Sequence, residues 1–143
     1  MMRALRVDKT TLAALGATLQ LHLDKDRAVE HLPVFAMAAA PIDELRQRGA
    51  RLVEQLASVK GLQATVEDSE AYLGGGSLPT EALPSCAVVL RSSRIGEDEL
   101  LDRLRRSNVV GRVSGGAVWL DLRTVPADKD QQLLAAVGKL TQG

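Results

Sequence analysis

The sequence predicts an α+β protein in which a helical arm precedes a small, mainly antiparallel sheet covered by helices. Leucines at helical spacing dominate the first sixty residues, whereas residues 62–67 alternate between apolar and polar side chains. Further along are an unbroken apolar run at 86–90 and a glycine pair between two short apolar segments at 109–122. Such patterns are typical of amphipathic helices, strands and a hairpin. We therefore expect a helical arm over residues 1–40 and a small α+β domain over residues 41–143.

The arm is predicted to contain two helical stretches. Asp8 precedes the first, which we expect to run to about Leu23, because an aspartate carboxylate can accept hydrogen bonds from the unpaired N–H groups of a first helical turn. The second runs from about Asp26 to Met37 and contains Pro33. Since proline has no backbone donor, we expect the helix to kink or restart there.

The segment from Pro41 to Lys60 has the clearest helical pattern in the chain. Proline suits a first turn, and Gly61 marks the end of the pattern. Gly49 lies on the apolar stripe and would allow another backbone to approach closely. The stripe itself consists of Ile42, Leu45, Leu52, Val53, Leu56 and Val59.

The rest of the chain is predicted to complete the sheet and its helical cover. Short apolar runs bounded by turn residues indicate strands, and paired glycines supply the positive φ that a tight turn demands. In chain order we predict a strand at Leu62–Glu67, a loop at Gly74–Pro84, a central strand at Cys86–Leu90, a helix at Gly96–Arg106, a hairpin from Val109 to Leu122 and a helix at Asp128–Leu140.

Composition excludes several classes of function. Eighteen basic and eighteen acidic residues leave no net charge, so nucleic-acid binding would need a local basic patch. The single cysteine, Cys86, excludes an internal disulfide and fits a reducing compartment, which makes the cytoplasm the expected location. No apolar run approaches the ~18 residues of a membrane span. His22 and His31 lack the neighbouring ligands of a metal site, so none is predicted.

Arg3 and Arg6 form the first candidate site. Residues three apart share a helix face, so two guanidiniums could converge on one tetrahedral anion, such as phosphate, through bidentate hydrogen bonds. The alternative interpretation is a solvated basic end near the terminus. Residue types alone favour this second, simpler interpretation.

A glycine-rich string forms the second candidate site and consists of Gly74, Gly75, Gly76 and Ser77. The backbone of such a string can approach a phosphate closely. Pro79 follows it instead of a helix, so the usual strand, loop and helix arrangement of a phosphate loop is missing. A flexible connection between two strands is the competing interpretation.

Three separated strings agree with one enzyme family in order and spacing. They are residues 3–9 (Arg-Ala-Leu-Arg-Val-Asp-Lys), residues 74–79 (Gly-Gly-Gly-Ser-Leu-Pro) and residues 120–125 (Leu-Asp-Leu-Arg-Thr-Val). Together they resemble the C-terminal part of bacterial selenocysteine synthase, the L-seryl-tRNA(Sec) selenium transferase. The resemblance implies an enzyme of fold type I that uses pyridoxal phosphate. The cofactor lysine of that family lies in an upstream Asp-Lys-Leu-Leu-Gly-Gly-Pro-Gln segment, which is not found in this sequence.

The resemblance also implies roles for individual residues. Arg3 and Arg6 would line the active site and hold the anionic selenium donor, selenophosphate. Arg112 and Arg123 are weaker candidates, because many enzymes of this fold bind a substrate carboxylate with an arginine of this domain. A seryl ester on tRNA has no free carboxylate, so an ion pair at the sheet edge or between subunits, for example with Asp121, is an equal alternative.

For the chain alone, we therefore expect no catalytic residue, no bound cofactor or metal, and no activity. The parent enzyme would bind pyridoxal phosphate and would convert seryl-tRNA(Sec) to selenocysteinyl-tRNA with selenophosphate. Apolar residues of the arm predict a homo-oligomer, and no membrane partner is expected. Two alternatives stay open: a piece of a related pyridoxal phosphate lyase, and a non-enzymatic α+β interaction module.

Overall fold

The computed structural model describes residues 6–72 and 82–141, and the chain divides into two compact units, Met1–Ala39 and Ala40–Gly143. The α+β class is confirmed. Within the described residues, the first unit contains α1 (Lys9–His22), α2 (Lys25–His31) and α3 (Pro33–Ala39). The second contains α4 (Ile42–Leu56), β1 (Leu62–Tyr72), β2 (Ala82–Ser92), α5 (Glu97–Arg106), β3 (Arg112–Ser114), β4 (Ala117–Asp121) and α6 (Asp130–Gly138).

The predicted cap and the predicted break of the arm are both confirmed. The Asp8 carboxylate accepts hydrogen bonds from the Thr11 backbone N–H at 2.8 Å and from the Thr11 hydroxyl at 3.0 Å. These bonds favour the ionised carboxylate and lower the pKa of Asp8. The second helical stretch ends before Leu32 and restarts at Pro33, where the missing N–H of proline is harmless.

Helix α4 is shorter than predicted, and side chains, not another backbone, pack against its Gly49. It ends at Leu56 instead of Lys60, because the chain tightens into a turn that leads to Gly61 at φ +78°. A Cβ atom on Gly49 would lie 3.2 Å from Leu122 Cδ1 and 3.3 Å from the Val66 methyl groups. The expectation of a close backbone was therefore wrong, since side chains of the sheet layer fill this space.

The four described strands form one antiparallel sheet in the order β1-β2-β4-β3. Strands β1 and β2 pair along their whole length, from Leu62 opposite Ser92 to Tyr72 opposite Ala82. The predicted loop was wrong at residues 82–84, which belong to β2, and its residues 74–81 lie outside the described part. The hairpin between β3 and β4 is confirmed, and its turn uses Gly115 and Gly116 at positive φ.

The core lies between one face of this sheet and the helices α4, α5 and α6. From the sheet it takes alternate side chains of β2 and β4, namely Cys86, Val88, Leu90, Val118 and Leu120. The opposite face carries a smaller cluster, in which Trp119 packs against Ala87, Val89 and Ala117. None of the helices within residues 6–72 and 82–141 has the length and apolar character needed to cross a bilayer.

Candidate functional site

Arg6 lies in an irregular segment before α1 and not on the helix. Asp8 caps the helix with an extended backbone, φ −71° and ψ 166°, and the helix begins at Lys9. The argument from helical spacing was therefore wrong for Arg6, and Arg3 lies outside the described residues. The exposed guanidinium of Arg6 makes no hydrogen bond or ion pair with any residue in 6–72 or 82–141. Arg6 is thus an exposed cation without a partner among the described residues.

The glycine-rich candidate, Gly74, Gly75, Gly76 and Ser77, also lies outside the described residues. Its described neighbours on either side are Tyr72 and Ala82, which face each other as the last pair of the β1–β2 ladder. The Tyr72 hydroxyl donates a hydrogen bond to Glu70 at 2.8 Å, and this contact raises the pKa of Tyr72. The ladder therefore brings the two ends of this connection together.

Arg112 stacks on an aromatic ring and forms no ion pair with a carboxylate in residues 6–72 or 82–141. Its guanidinium carbon lies 4.8 Å from the ring centroid of Trp119, which is its partner across the β3–β4 ladder. The indole N–H of Trp119 donates to the Ser114 carbonyl at 3.0 Å, which fixes the ring. A cation over the face of an indole ring is favourable, so this pair stabilises the hairpin.

Arg123 is buried and holds separate segments of the second unit together. Its guanidinium donates to the Ala40 carbonyl at 2.9 Å and to the Pro84 carbonyl. The neighbouring Asp121 carboxylate accepts the Arg123 backbone N–H at 3.0 Å and the Ser85 hydroxyl at 2.6 Å. Since its donors point at backbone carbonyls inside the fold, the structure favours a scaffolding contact over capture of a substrate.

Arg48 is a buried charged residue that the sequence analysis missed. It is 7% exposed and forms an ion pair with Asp130, whose carboxylate oxygens both lie 2.9 Å from Nε. One signal could have revealed it, because Arg48 lies between Leu45 and Leu52 on the apolar stripe of α4. Its partner is 82 residues away, and no local pattern identifies it.

Two further residues with reactive side chains are accounted for by local contacts. Cys86 is fully buried in β2, and burial raises the pKa of its thiol, so it is a core residue. The His22 ring lies 2.8 Å from the Thr18 carbonyl through Nδ1 and packs edge-on against Phe35. Within residues 6–72 and 82–141, no three His, Cys, Asp or Glu side chains are grouped to hold a metal ion.

The described residues do not fit pyridoxal phosphate by themselves. An enzyme of this kind holds the cofactor through a lysine amine in an enclosed site. The described lysines all lie on the surface, exposed to solvent: Lys9, Lys25, Lys60, Lys129 and Lys139. A site for this cofactor would need residues from elsewhere.

The contacts of Arg48 and Arg123 show an α+β protein in which buried arginines stabilise the fold. Arg6, by contrast, is an exposed cation. The chain belongs to the L-seryl-tRNA selenium transferase family, whose sequence profile matches residues 1–126. It is 39% identical to the L-seryl-tRNA(Sec) selenium transferase of Moorella thermoacetica, over 99% of this chain and 31% of the relative. The enzymes of that name from Clostridium perfringens (strain 13 / Type A) and Photorhabdus laumondii are 36% and 38% identical, over 96% and 89% of this chain. The chain spans only 29% to 31% of the length of these relatives.

Proposed function

We propose that this chain works as the C-terminal part of an L-seryl-tRNA(Sec) selenium transferase in the cytoplasm. The observation that carries the proposal is its similarity to such enzymes along 99% of its own length. This similarity favours the selenium transferase function over that of a related lyase or of a separate interaction module. Residues 1–40 would continue from the large domain of the parent enzyme, and residues 41–143 would form its small domain.

In the proposed reaction, selenium replaces the serine hydroxyl of seryl-tRNA(Sec). The carbon–oxygen bond of the seryl side chain breaks and its hydroxyl leaves as water, while a carbon–selenium bond forms. Water then cleaves the selenium–phosphorus bond, so that the phosphoryl group leaves as phosphate. Pyridoxal phosphate would be bound by parts of the enzyme that correspond to the rest of its relatives' length. This inference is supported by the exposed positions of the described lysines.

Arg3 and Arg6 would hold the selenium donor, which is a compact anion. A guanidinium offers parallel N–H donors that match two oxygens of a phosphoryl group. Arg6 is supported by its exposure and by the absence of any partner among residues 6–72 and 82–141. Arg112 and Arg123 are supported less well, because Trp119 and backbone carbonyls already occupy their guanidiniums. The glycine-rich string at 74–77 stays a weaker candidate for the same pocket or for a subunit contact.

A chimeric enzyme tests this function directly. The chain would replace the 145 residues with which it aligns in the Moorella thermoacetica relative, and selenocysteinyl-tRNA would be measured. We expect an active chimera in which Arg6→Ala lowers selenium transfer roughly a hundredfold, because a charge-assisted contact to the donor is lost. Arg27→Ala is the matched control, since Arg27 is also an exposed arginine of the first unit, and this variant should keep its activity. A folded Arg6→Ala chimera with normal activity would refute the role of Arg6.

The cofactor part of the proposal needs only the chain itself. After incubation with pyridoxal phosphate and reduction with borohydride, we expect no stoichiometric pyridoxyl group on the protein. The physical reason is that the described lysines lie exposed on the surface and provide no enclosed site for the cofactor. A single, fully modified Lys9 in the peptide map would show that the chain binds the cofactor after all.

A further inference from the structure

A cleft at one end of the β1–β2 ladder carries positive charge that is not paired with a carboxylate among the described residues. Its volume is about 330 Å³, and its lining consists of Gly61, Leu62, Gln63, Arg91, Ser92 and Ser93. The ladder pairs Gln63 with Arg91 and Leu62 with Ser92, so both strands contribute to it. No carboxylate is present in this lining, which therefore offers a cation and neutral polar groups.

Three cations lie in this cleft or next to its lining. Arg91 lines it, Arg94 lies next to Gly61, and Lys60 directly precedes Gly61. None of these three makes a side-chain hydrogen bond or ion pair with a residue in 6–72 or 82–141. By contrast, four arginines of the same unit pair with carboxylates: Arg46 with Asp68, Arg48 with Asp130, Arg103 with Glu99 and Arg105 with Asp102. In a chain of zero net charge, the cleft is thus a local basic patch.

The backbone at Gly61 keeps the Arg94 side chain at the edge of the cleft. Gly61 has φ +78°, and a Cβ atom there would lie only 3.0 Å from Arg94 Nε. The Ser92 Oγ accepts the backbone N–H groups of Arg94 at 3.1 Å and of Ile95 at 3.3 Å. Within the described part of the chain, no group accepts the Ser92 O–H, so this hydroxyl can donate to a ligand. Ser92 and Arg94 therefore both lie at this end of the ladder.

We propose that this cleft binds phosphate groups of an RNA backbone through Arg91, Arg94 and Lys60. Guanidinium and hydroxyl groups are the common phosphate donors in nucleic-acid complexes. No aromatic ring lines the cleft, which favours contact with the backbone over stacking of bases. The cleft is open at the surface, so a long polyanion can continue past it. The choice of RNA over another phosphate compound rests on the proposed function, whose substrate is a tRNA.

RNA binding by the chain tests the proposal without selenium chemistry. The probe is a fluorescently labelled RNA of mixed sequence, and its anisotropy is measured at several salt concentrations. Changing both Arg91 and Arg94 to alanine should weaken binding roughly tenfold at low salt and should reduce the slope of log K against log salt by about one for each arginine. The matched control changes Arg27 and Arg106, which are also exposed and unpaired among the described residues, and should stay within about twofold of wild type.

The outcomes separate the possible ligands. Loss of RNA affinity in the cleft variant alone, with an unchanged urea unfolding curve, supports the site. Equal losses in both double variants would indicate diffuse electrostatic binding and would overturn it. Inorganic phosphate that displaces RNA at stoichiometric concentrations would also overturn it, because the site would then be one for a free anion. If the chimera fails to transfer selenium while RNA binding depends on Arg91 and Arg94, the proposed function is refuted. The proposal that the cleft binds RNA is then still supported.

Discussion

The Arg48 guanidinium and the Asp130 carboxylate form a largely buried ion pair that joins the start of α6 to the middle of α4. Arg48 Nε lies 2.9 Å from both carboxylate oxygens of Asp130. The remaining nitrogens donate to the carbonyls of Leu122 at 3.1 Å, Val125 at 2.8 Å and Pro126 at 3.1 Å. One side chain thus donates to three carbonyls of the segment that follows β4.

Replacing Arg48 with alanine should lower the free energy of unfolding by about 3–5 kcal/mol, because it leaves the Asp130 carboxylate without its cation and removes one donor from each of three carbonyls. Urea unfolding followed by circular dichroism measures this change. The double variant Arg48→Met, Asp130→Leu should recover much of the loss, since no unpaired charge then remains inside the fold.

Arg46→Ala is the control for this prediction. Arg46 lies on the same helix and forms an exposed ion pair with Asp68, with Nε 3.0 Å from the carboxylate. Its hydrogen bond lowers the pKa of Asp68, but water screens this pair. We expect a clearly smaller loss of stability than for Arg48→Ala. Equal losses would show that burial of the Arg48 pair is not the decisive factor.

The Asp8 cap should make the start of α1 sensitive to acid. The pKa of Asp8 is lowered in the folded chain, so its contribution is present above the ordinary value of 3.8 and is lost as pH falls through the lowered pKa. Hydrogen exchange of the Thr11 amide should therefore lose its protection in acid. Asp8→Asn keeps a capping oxygen and should remove this pH dependence, whereas Asp8→Ala should reduce protection at every pH. Identical acid profiles for wild type and Asp8→Asn would contradict the assignment.

Sequence patterns predicted those elements whose signals are local. The Asp8 cap, the break at Pro33 and the glycine turn of the last hairpin each depend on a few neighbouring residues, and all three are confirmed. The second half of β1 was not predicted, because residues 67–70 are polar and lose the alternation. Pairing with β2 along eleven residues makes them a strand all the same. Long-range contacts decide such segments, as they do for Arg48.

The candidate site shows the same division between local and long-range information. The arginine string, together with two other strings, identified the family. The helical spacing assumed for Arg6 was wrong, because the cap at Asp8 starts the helix later. Arg123 was noticed as a charge beside the hairpin, yet its contacts with the Ala40 and Pro84 carbonyls depend on the folded chain. Sequence alone could not distinguish these scaffolding arginines from exposed ones.

Gly111 is a position at which any side chain should be costly. A Cβ atom there would lie 2.8 Å from Leu120 Cδ2 and 3.0 Å from the Trp119 carbonyl oxygen. Gly111→Ala should therefore lower the free energy of unfolding by about 1–3 kcal/mol, measured in urea. Gly138→Ala is the control, since nothing lies within 4 Å of its Cβ position at the end of α6. This control should be neutral or stabilise by up to about 1 kcal/mol, and a similar loss in both variants would contradict the prediction.

The apolar row of α1 should drive self-association of the chain. Leu12, Leu15 and Leu19 recur every three to four residues and are 56%, 53% and 57% exposed. Side chains at this spacing share one helix face, and an exposed apolar face of this kind is covered by association. We predict a dimer or larger assembly of this chain, which sedimentation velocity over a range of concentrations would detect.

A variant with glutamine at Leu12, Leu15 and Leu19 separates this face from the rest of the surface. Glutamine favours helix about as well as leucine does, so α1 should persist while its apolar area is lost. Each leucine buried at a contact contributes about 1.5–3 kcal/mol, so the dissociation constant should rise roughly a hundredfold or more. Val110→Gln is the control, because Val110 is 79% exposed in the second unit, and it should not change the assembly. A wild-type chain that sediments as a strict monomer at its solubility limit would contradict the prediction.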